Sequence, residues 1–554
     1  MNVAIALACV AVVFVAVSAY GSWDSRRKRL ARIRAGWGRP QDLRRDMEGI
    51  ADFYLTHDAG PSLDDRTWND LVMDDVFGFL DRTESRVGQQ MLYRRLRRAG
   101  LSETLDAFES LVARATADAP FREEAQLALG RLDAASAYSV HRLALPDAII
   151  RKPWHILFPI WTAVVVGTLL LGILWHTLFV PAIIGLIVSF AVRIGTARRV
   201  GGESVWFRQV GPLLAAARAL SAFHSEGSRA ITGSMSKDLV ALRRLGVVAK
   251  WLTRGLEGGT RTDLAGAILD YVNMQLLMDV NALYFASREL QLHATSLLRL
   301  IVAVGEIDAA IAIASVRAAD ATWTRPTFLA AGAPATFSDL RHPLIADAVP
   351  NSIGLAPPHG VLVTGSNMSG KSTFLRTVGV NAVLAQAINT SFARAYDAPV
   401  YQVRSCIGRS DDLIAGKSYY LVEVESVLSL VKASDRADPH LFIFDELFRG
   451  TNAVERIAAG EAVLRSLIGG GKPHVVLAAT HDGVLVDLLG GAYEVYHLSD
   501  SIGSDGLTFD YHLTPGPATS RNAIALLKLT GAPESLVTRA LSRAADLDRR
   551  VGAV

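Results

Sequence analysis

The chain has 554 residues, of which half are hydrophobic and 20% are charged, and its mean hydropathy is +0.26. This composition excludes an intrinsically disordered chain and is unusual for a soluble protein, while the length predicts two or three domains. The net charge of +3 gives no overall argument for a nucleic-acid partner. With two cysteines, the chain cannot form a disulfide framework or a cysteine-rich zinc site, and it fits a reducing compartment.

The N-terminal segment combines an apolar run with a basic flank. Residues 3–22 carry no charge, and the next 24 residues carry nine Arg or Lys against three Asp. This pattern predicts a membrane anchor over residues 1–23 and a basic juxtamembrane linker over residues 24–46. A cleaved signal peptide is the alternative, because Val17-Ser18-Ala19 resembles a cleavage site. No positive charge precedes the apolar run, however, and a basic cluster follows it.

A second apolar stretch predicts a transmembrane hairpin over residues 153–194. Residues 153–192 contain no Asp, Glu, Lys or Arg, and this length is twice the roughly 20 residues that one crossing needs. Arg and Lys flank both ends, so the positive-inside rule places both ends in the cytoplasm. We therefore expect a multi-pass protein of the cell membrane. The alternative is a buried helix pair of a soluble protein, in which so long an uncharged run is rare.

The remaining chain divides by its periodicity. Residues 47–152 and 195–322 have apolar residues at helical spacing and few turn signals, which predicts two helical regions on either side of the hairpin. From residue 323 to 554, short apolar runs alternate with Gly and Pro. This alternation predicts an α/β domain at the C-terminus.

A phosphate-binding loop follows the first strong strand of this domain. The segment Gly365 to Thr373 fits G-x-x-x-x-G-K-[ST] between a predicted strand and a predicted helix. In such a loop, Lys371 would reach the β and γ phosphates and Ser372 would bind Mg²⁺. The predicted ATP-binding residues of the loop are Gly365, Ser366, Asn367, Met368, Ser369, Gly370, Lys371, Ser372 and Thr373.

Two later strands end in polar side chains. The strand 441–444 runs into Asp445, a predicted magnesium ligand, and Glu446, which we expect to orient the attacking water. The strand 474–479 ends at Thr480 and His481, and His481 could sense or polarise the γ-phosphate. The order of the three motifs favours a catalytic histidine over an ordinary residue at the end of a strand.

These motifs together resemble those of the MutS family of DNA mismatch-repair ATPases, within the ABC-type ATPases. The loop is similar to the family's T-G-P-N-M-x-G-K-S-T, with Ser366 in place of proline. Other matching segments are Arg341-His342-Pro343, Ile407 to Glu423, Asp445 to Asn452, Ala479-Thr480-His481 and Leu529 to Ala540. Weaker similarity to the two ends of the family's lever domain lies at Leu80 to Leu92 and Val304 to Ala314.

The resemblance implies a fold, a dimer and further site residues. The fold would be an α/β P-loop ATPase domain of ABC type, preceded by an all-α, lever-like region that a transmembrane helical hairpin interrupts. A homodimer would place Ser418 of one subunit in trans on the nucleotide of the other. Asn351, with Val349, Pro350 and Tyr511, would lie at the adenine. Nothing ahead of residue 47 resembles the family's mismatch-recognition domain, so we expect that domain to be absent.

Two functions remain open at this stage. One is a membrane-tethered ATPase that binds mismatched or branched DNA. The other is a mechanochemical membrane ATPase that moves its hairpin or a protein partner without DNA. The basic segment 24–46 is explained more simply by lipid than by DNA. Export of a substrate is a weaker version of the second function, because no charged residue lies within the apolar runs to mark a pathway.

Overall fold

The computed structural model describes residues 2–41, 45–58, 60, 63–98, 104–146, 148–149, 152–221, 225–257, 271–366, 369–407, 419–503, 506–518, 524, 527 and 530–551. The chain forms two compact units. The helical unit contains Met1–Ala59, Leu80–Arg94 and Asp106–Ala319, and the C-terminal unit contains Gly60–Phe79, Arg95–Leu105 and Asp320–Val554. Two short segments of the region predicted as helical over 47–152 therefore group with the C-terminal unit.

The described part of the chain ahead of residue 320 is helical, as the sequence predicts. Its α-helices are α1 (Asn2–Gly36), α2 (Met47–His57), α3 (Asp65–Asp70), α4 (Met73–Leu80), α5 (Arg86–Arg97), α6 (Leu105–Ala117), α7 (Ala119–Leu129), α8 (Leu157–Gly172), α9 (Phe179–Ser204), α10 (Val210–Ser221), α11 (Arg229–Thr232), α12 (Met235–Ala241), α13 (Arg243–Glu257) and α14 (Met278–Ala319). Short 3-10 segments join some of them, at Gly130–Leu132, Ala135–Ala144, Pro153–Ile156, His176–Leu178 and Val205–Gln209.

The long helix α14 is central to the helical unit. Its second half is buried, and its buried Asp308 accepts hydrogen bonds from the backbone N–H groups of Glu84 (3.1 Å) and Ser85 (2.8 Å). These donors lie at the start of α5, where the helix dipole favours a carboxylate. Arg82 donates a further hydrogen bond to the Ser315 carbonyl (2.6 Å). The two segments that resemble the ends of a lever domain therefore pack against each other.

Gly305 lies at a close approach of α14 to α5. A Cβ atom there would lie 2.8 Å from the Val87 carbonyl oxygen and would meet the side chain of Met91. We expect Gly305→Ala to destabilise the helical unit by about 1–3 kcal/mol, because a packed backbone cannot make room for it. Gly211→Ala in α10 is the control, since no atom lies within 4 Å of that Cβ position. Thermal unfolding of both variants checks this, and an equal melting temperature for both would contradict the packing described.

The predicted hairpin consists of α8 and α9. In the described part of the chain, two helical segments, Pro153–Gly172 and His176–Thr196, are long and apolar enough to cross a membrane. Only 11% and 17% of their apolar windows are buried in the protein, so Leu, Ile and Val side chains cover the outer surface of the pair. Trp161 Nε1 donates to Ser189 Oγ (3.1 Å) between the two helices.

The hairpin is tied to the first turn of α14 by polar contacts. Arg193 of α9 forms an ion pair with the buried Asp279 (2.7 Å), and Asn281 Nδ2 donates to Thr162 Oγ1 of α8 (2.8 Å). The Thr162 hydroxyl in turn donates to the Leu276 carbonyl (3.1 Å). Helix α14 therefore begins directly beside both arms of the hairpin.

The basic segment after the N-terminal apolar run is mostly helical. Helix α1 continues without a break through the basic residues to Gly36. Several of these residues form ion pairs with acids of the helical unit, which are Arg26 with Glu124, Arg32 with Glu84 (3.3 Å) and Arg34 with Glu123 (2.8 Å). These three side chains are therefore engaged with protein, while Arg27 and Arg29 remain exposed.

The C-terminal unit contains two sheets, which confirms the predicted α/β class. Its strands are β1 (Thr327–Leu329), β2 (Ala335–Leu340), β3 (Asn351–Leu355), β4 (Gly360–Thr364), β5 (Ala395–Pro399), β6 (Gln402–Cys406), β7 (His440–Asp445), β8 (Val475–Ala479), β9 (Tyr493–Gly503) and β10 (Gly506–Pro515). A four-stranded sheet has the order β1-β5-β2-β3, and a six-stranded sheet has the order β10-β9-β4-β8-β7-β6. In the larger sheet all pairs are parallel except β9-β10.

Helices cover the larger sheet and bury its central strands. They are α15 (Lys371–Ile388), α16 (Tyr419–Ala433), α17 (Ala453–Ile468) and α18 (Gly483–Leu489). A further helix, α19 (Glu534–Val551), follows β10 in the chain. Strands β4 and β8 are buried along their whole length, as continuous apolar runs in a parallel sheet should be. Because β4, β7 and β8 are parallel neighbours, their carboxyl ends meet at one edge of the sheet.

Candidate active site

The phosphate-binding loop begins where β4 ends. Gly365 has φ +144° and Gly370 has φ +99°, values that favour glycine. A Cβ atom on Gly365 would lie 2.7 Å from Ser369 Oγ and 2.8 Å from the Leu498 carbonyl oxygen. The loop then enters α15 at Lys371, so the free N–H groups of the helix start face the loop. This is the strand, loop and helix order that the sequence predicts.

Lys371 is buried and folded over the loop. Its Nζ donates to the carbonyl oxygens of Gly365 (2.9 Å) and Ser366 (2.7 Å), and it lies 4.0 Å from Glu446 Oε1. Ser369 Oγ is also buried and has no hydrogen-bond partner among the described residues. The loop therefore holds one cation and one hydroxyl ready for an anionic ligand.

Ser372 and Asp445 form the pair expected of a magnesium site. Ser372 Oγ donates to Asp445 Oδ2 (2.5 Å), while Asp445 Oδ1 is buried without a hydrogen-bond partner in the described chain. The described residues contain no cluster of three or more His, Cys, Asp or Glu that could hold a metal. A hydroxyl and one carboxylate fit Mg²⁺, which takes its remaining ligands from phosphate and water.

Glu446 lies at the centre of a charged group. Its backbone has φ +52°, and its N–H donates to the Ala479 carbonyl of β8 (3.0 Å), which holds the residue at the sheet edge. Its carboxylate forms an ion pair with Arg449 and lies 3.2 Å from His481 Nδ1. A carboxylate between the Arg449 guanidinium and the His481 imidazole can accept a proton or orient water.

The surroundings of His481 favour its neutral form. Burial lowers its pKa below the usual value, and the cations Arg456, Arg449 and Lys371 act in the same direction, against the opposing effect of Asp482. A neutral imidazole can donate one hydrogen bond and accept another. The structure thus brings His481, Glu446, Lys371, Ser372 and Asp445 together at one edge, as the sequence predicts.

A cavity of about 330 Å³ opens beside the loop. It is lined by Ser369, Gly370 and Thr373 on the loop side, and by Val349, Asn351 and Tyr511 on the other side. Both polar atoms of the Asn351 amide form hydrogen bonds with the backbone. Nδ2 donates to Tyr511 O (2.9 Å) and Oδ1 accepts from Leu513 N (2.7 Å). Asn351 therefore shapes this cavity by joining β3 to β10, and a nucleobase contact from it stays a prediction.

Three predicted site residues lie outside the described part of the chain. They are Asn367, Met368 and Ser418. The loop roles of the first two and the trans role of Ser418 stay predictions.

Two side chains support the site from within the segments that resemble family motifs, although the sequence analysis gave neither of them a role. Arg449 pairs with Glu446, and Glu423 Oε1 accepts a hydrogen bond from Phe448 N (2.6 Å) in the loop after β7. The spacing of Arg449, three residues after Glu446, could have indicated the first contact. The second contact joins residues 25 positions apart and has no local signal in the sequence.

Helix α3 covers the open edge of the large sheet. Asp70 Oδ2 accepts hydrogen bonds from Ser405 Oγ and Ile407 N, both at 2.8 Å, and Ser405 N donates to Thr67 Oγ1 (3.1 Å). Arg376 at the start of α15 donates to the Asp70 carbonyl (2.7 Å). The helix therefore fixes the end of β6 and the helix that carries Lys371.

We expect Asp70→Ala to destabilise the end of β6 by about 2–4 kcal/mol, because two buried donors lose their acceptor. Hydrogen exchange at the Ile407 amide measures this local effect. Asp65→Ala is the control, since Asp65 lies on the same helix with its side chain largely exposed. If the Ile407 amide is equally protected from exchange in the Asp70→Ala variant, Asp70 does not stabilise the end of β6.

Comparison with known proteins agrees with this geometry. The family model described as MutS domain V matches residues 361–548. Its span includes the loop, the Asp445-Glu446 pair and His481. Residues 361–548 form a MutS domain V. This confirms the predicted resemblance to the MutS family over the C-terminal part of the chain.

Proteins named DNA mismatch repair protein MutS match a stretch of this chain that is somewhat longer than the span of the family model. The protein from Natronomonas pharaonis is 32% identical over 246 residues, and one from Thermus thermophilus is 34% identical over 242 residues. DNA mismatch repair protein MutS 2 of Halobacterium salinarum is 33% identical over 250 residues. Each match covers 43% of this chain and 28–29% of the relative. The chain thus spans less than a third of the length of these MutS proteins.

Proposed function

We propose that the protein is a membrane-anchored, MutS-like ATPase that binds and hydrolyses ATP as a homodimer, coupled to binding of mismatched or structured DNA. The observation that carries the ATPase is the convergence of the Lys371 loop, the Ser372-Asp445 pair and Glu446 at one sheet edge. Phosphoryl transfer requires a loop that binds the phosphates, oxygen ligands for a magnesium ion and a group that orients water. These side chains supply all three.

Each side chain has one task in this proposal. The loop N–H groups and Lys371 bind the phosphates, and Ser372 and Asp445 hold Mg²⁺, which when bound withdraws charge from the phosphate oxygens. Glu446 orients the attacking water and accepts its proton. His481 donates a hydrogen bond to the oxygen where negative charge develops. The 330 Å³ cavity beside Tyr511 receives the nucleobase.

The dimer is proposed because ABC-type sites are completed by a second subunit. Ser418 of the partner would reach the γ-phosphate, so ATP binding would close two C-terminal units and hydrolysis would release them. DNA binding is proposed from the names of the relatives, which are DNA mismatch repair proteins.

The membrane anchor is proposed from the exposed apolar surface of α8 and α9. Side chains such as Ile160, Leu170 and Ile187 face outward, which is costly in water over so large a continuous area. Bilayer lipid would cover that area, with the C-terminal unit in the cytoplasm because basic residues flank the hairpin.

A second function is favoured by a specific observation. The ties of Arg193 to Asp279 and of Thr162 to Asn281 join the hairpin to α14, whose chain continues into the C-terminal unit. Motion driven by ATP could therefore reach the hairpin without DNA. Ion pairing of Arg26, Arg32 and Arg34 with protein also leaves fewer cations in that segment for a nucleic acid.

One experiment separates the two functions. ATP turnover of the purified full chain in lipid is measured alone and with homoduplex, mismatched and branched DNA, together with DNA binding over a salt series. Stimulation by one DNA form, with binding that weakens steeply as salt rises, supports the DNA function. Normal turnover with no response to DNA and no binding at low salt would reject it in favour of the mechanochemical function.

A further inference from the structure

The exposed surface of α12 and α13 combines basic and apolar side chains. The two helices are almost continuous, because Leu242 N bonds to Asp238 O and Gly246 N bonds to Leu242 O across their junction. Exposed residues recur along them every three or four positions and form one stripe. This basic stripe consists of Lys237, Val240, Arg243, Val247, Lys250 and Trp251.

The basic stripe combines exposed apolar groups with positive charge for which the described residues show no ion pair. Val240 is 75% exposed, Val247 is 55% exposed and Trp251 is 46% exposed. The one acid within the stripe's span, Asp238, is buried and turned inward, where it forms an ion pair with Arg299 of α14 (2.5 Å). Arg244 adds a further exposed cation beside the stripe. Cations, valines and a tryptophan on one helix face are typical of helices at a membrane surface.

The opposite face of α13 is packed into the helical unit. Leu245, Ala249 and Leu252 are buried, and the helix packs against α9, α10 and α14. Helix α9 is the second arm of the hairpin, and α14 begins with the Asp279 and Asn281 contacts to both arms. The basic stripe therefore lies on a helix that is fixed directly to the hairpin where its second arm ends.

We propose that the basic stripe is a docking surface for the anionic headgroup layer of the membrane that holds the hairpin. The inference rests on the proposed membrane position of α8 and α9. Lipid phosphates would pair with Lys237, Arg243 and Lys250, and Val247 and Trp251 would enter the boundary with the acyl chains. Helix α13 packs against the second arm of the hairpin, which favours lipid over a nucleic acid as the occupant.

The test places spin labels on the full-length chain in vesicles. Single cysteines replace Val247 in the stripe, Leu170 on the hairpin and Leu55 on the exposed face of α2. The parent carries Cys9→Ser, and its remaining Cys406 is buried. Accessibility of each label to oxygen and to a water-soluble nickel chelate is compared in phosphatidylcholine, with and without phosphatidylglycerol, and each sample is also measured with duplex DNA.

The inference predicts a different result at each position. The Leu170 label is in the bilayer in both lipids, the Leu55 label is in water in both, and the Val247 label moves from water to the interface when phosphatidylglycerol is present. Lys250→Glu is expected to weaken this transfer about fivefold or more, since each cation near an anionic surface contributes about 1 kcal/mol.

Three results would overturn the inference, and they are distinguishable. A Val247 label that stays in water while the Leu170 label is in the bilayer rejects the docking surface and leaves the hairpin standing. Labels in water at both positions reject the membrane hairpin as well. A Val247 label that responds to duplex DNA and not to anionic lipid assigns the stripe to nucleic acid.

Discussion

The Glu446→Gln variant is expected to bind ATP and to hydrolyse it at least about a hundredfold more slowly than the wild type. Glutamine keeps the size of the side chain and a carbonyl oxygen, so the fold at the end of β7 should persist. It cannot accept a proton from the attacking water, and it loses the negative charge that faces Arg449 and His481. The loss should therefore appear in the hydrolysis step while nucleotide affinity remains.

Single-turnover release of phosphate and the binding of a fluorescent ATP analogue measure the two properties separately. Glu455→Gln is the matched control, because it makes the same chemical change at an exposed position on the first turn of α17. Turnover of the Glu446 variant within a few-fold of the control would reject its assigned role. If the proposed dimer forms, the Glu446 variant should also accumulate as an ATP-bound dimer in size-exclusion chromatography.

The Lys371→Ala variant is expected to lose ATP affinity by about ten- to a hundredfold, the size of one hydrogen bond to a charged group. Its ammonium already bonds to Gly365 O and Ser366 O, which places it within the curve of the loop. Removing it leaves the loop without its cationic side chain. The defect should therefore appear first in binding, in contrast to the Glu446 variant.

Equilibrium titration with the same fluorescent analogue measures this loss. Lys472→Ala is the control, since Lys472 lies in the same unit and pairs with Asp435 away from the loop. Unchanged affinity in the Lys371 variant would contradict the phosphate site. Near-full hydrolysis by both the Lys371 and the Glu446 variants would remove the basis of the ATPase assignment.

The local parts of this site could be predicted from the sequence because each is carried by a continuous segment. A buried strand followed by Gly365 to Thr373 fixes a loop and a helix start, and strands that end in Asp445-Glu446 and His481 fix the opposite wall. Parallel pairing of β4, β7 and β8 then brings their ends together. Periodicity and Gly-rich turns determine such elements without distant contacts.

The supporting contacts could not be predicted, because their partners are far apart in the chain. Asp70 reaches Ser405 across 335 positions, and no periodicity links α3 to β6. The contacts of the basic segment after the N-terminal apolar run could not be predicted for the same reason. Its composition favours lipid, yet Arg34 meets Glu123 through folding of α1 against α7.

The two helices of the hairpin could likewise be predicted from the sequence, whereas their contacts with α14 could not. An uncharged run of forty residues predicts α8 and α9 directly, because length and hydropathy are local properties. The polar ties of Thr162 and Arg193 to α14 depend on tertiary packing and have no sequence signal. Those ties are the feature that makes a mechanical role for the hairpin worth testing.

The proposed activity of the site at Lys371, Asp445 and Glu446 is ATP hydrolysis. The most direct measurement is steady-state phosphate release by the purified full chain in magnesium, beside the Glu446→Gln variant prepared in the same way. We expect saturable, magnesium-dependent turnover in the wild type and at least about a hundredfold less in the variant. Equal turnover in both preparations, or none in a wild type that binds ATP with magnesium, would contradict this proposal.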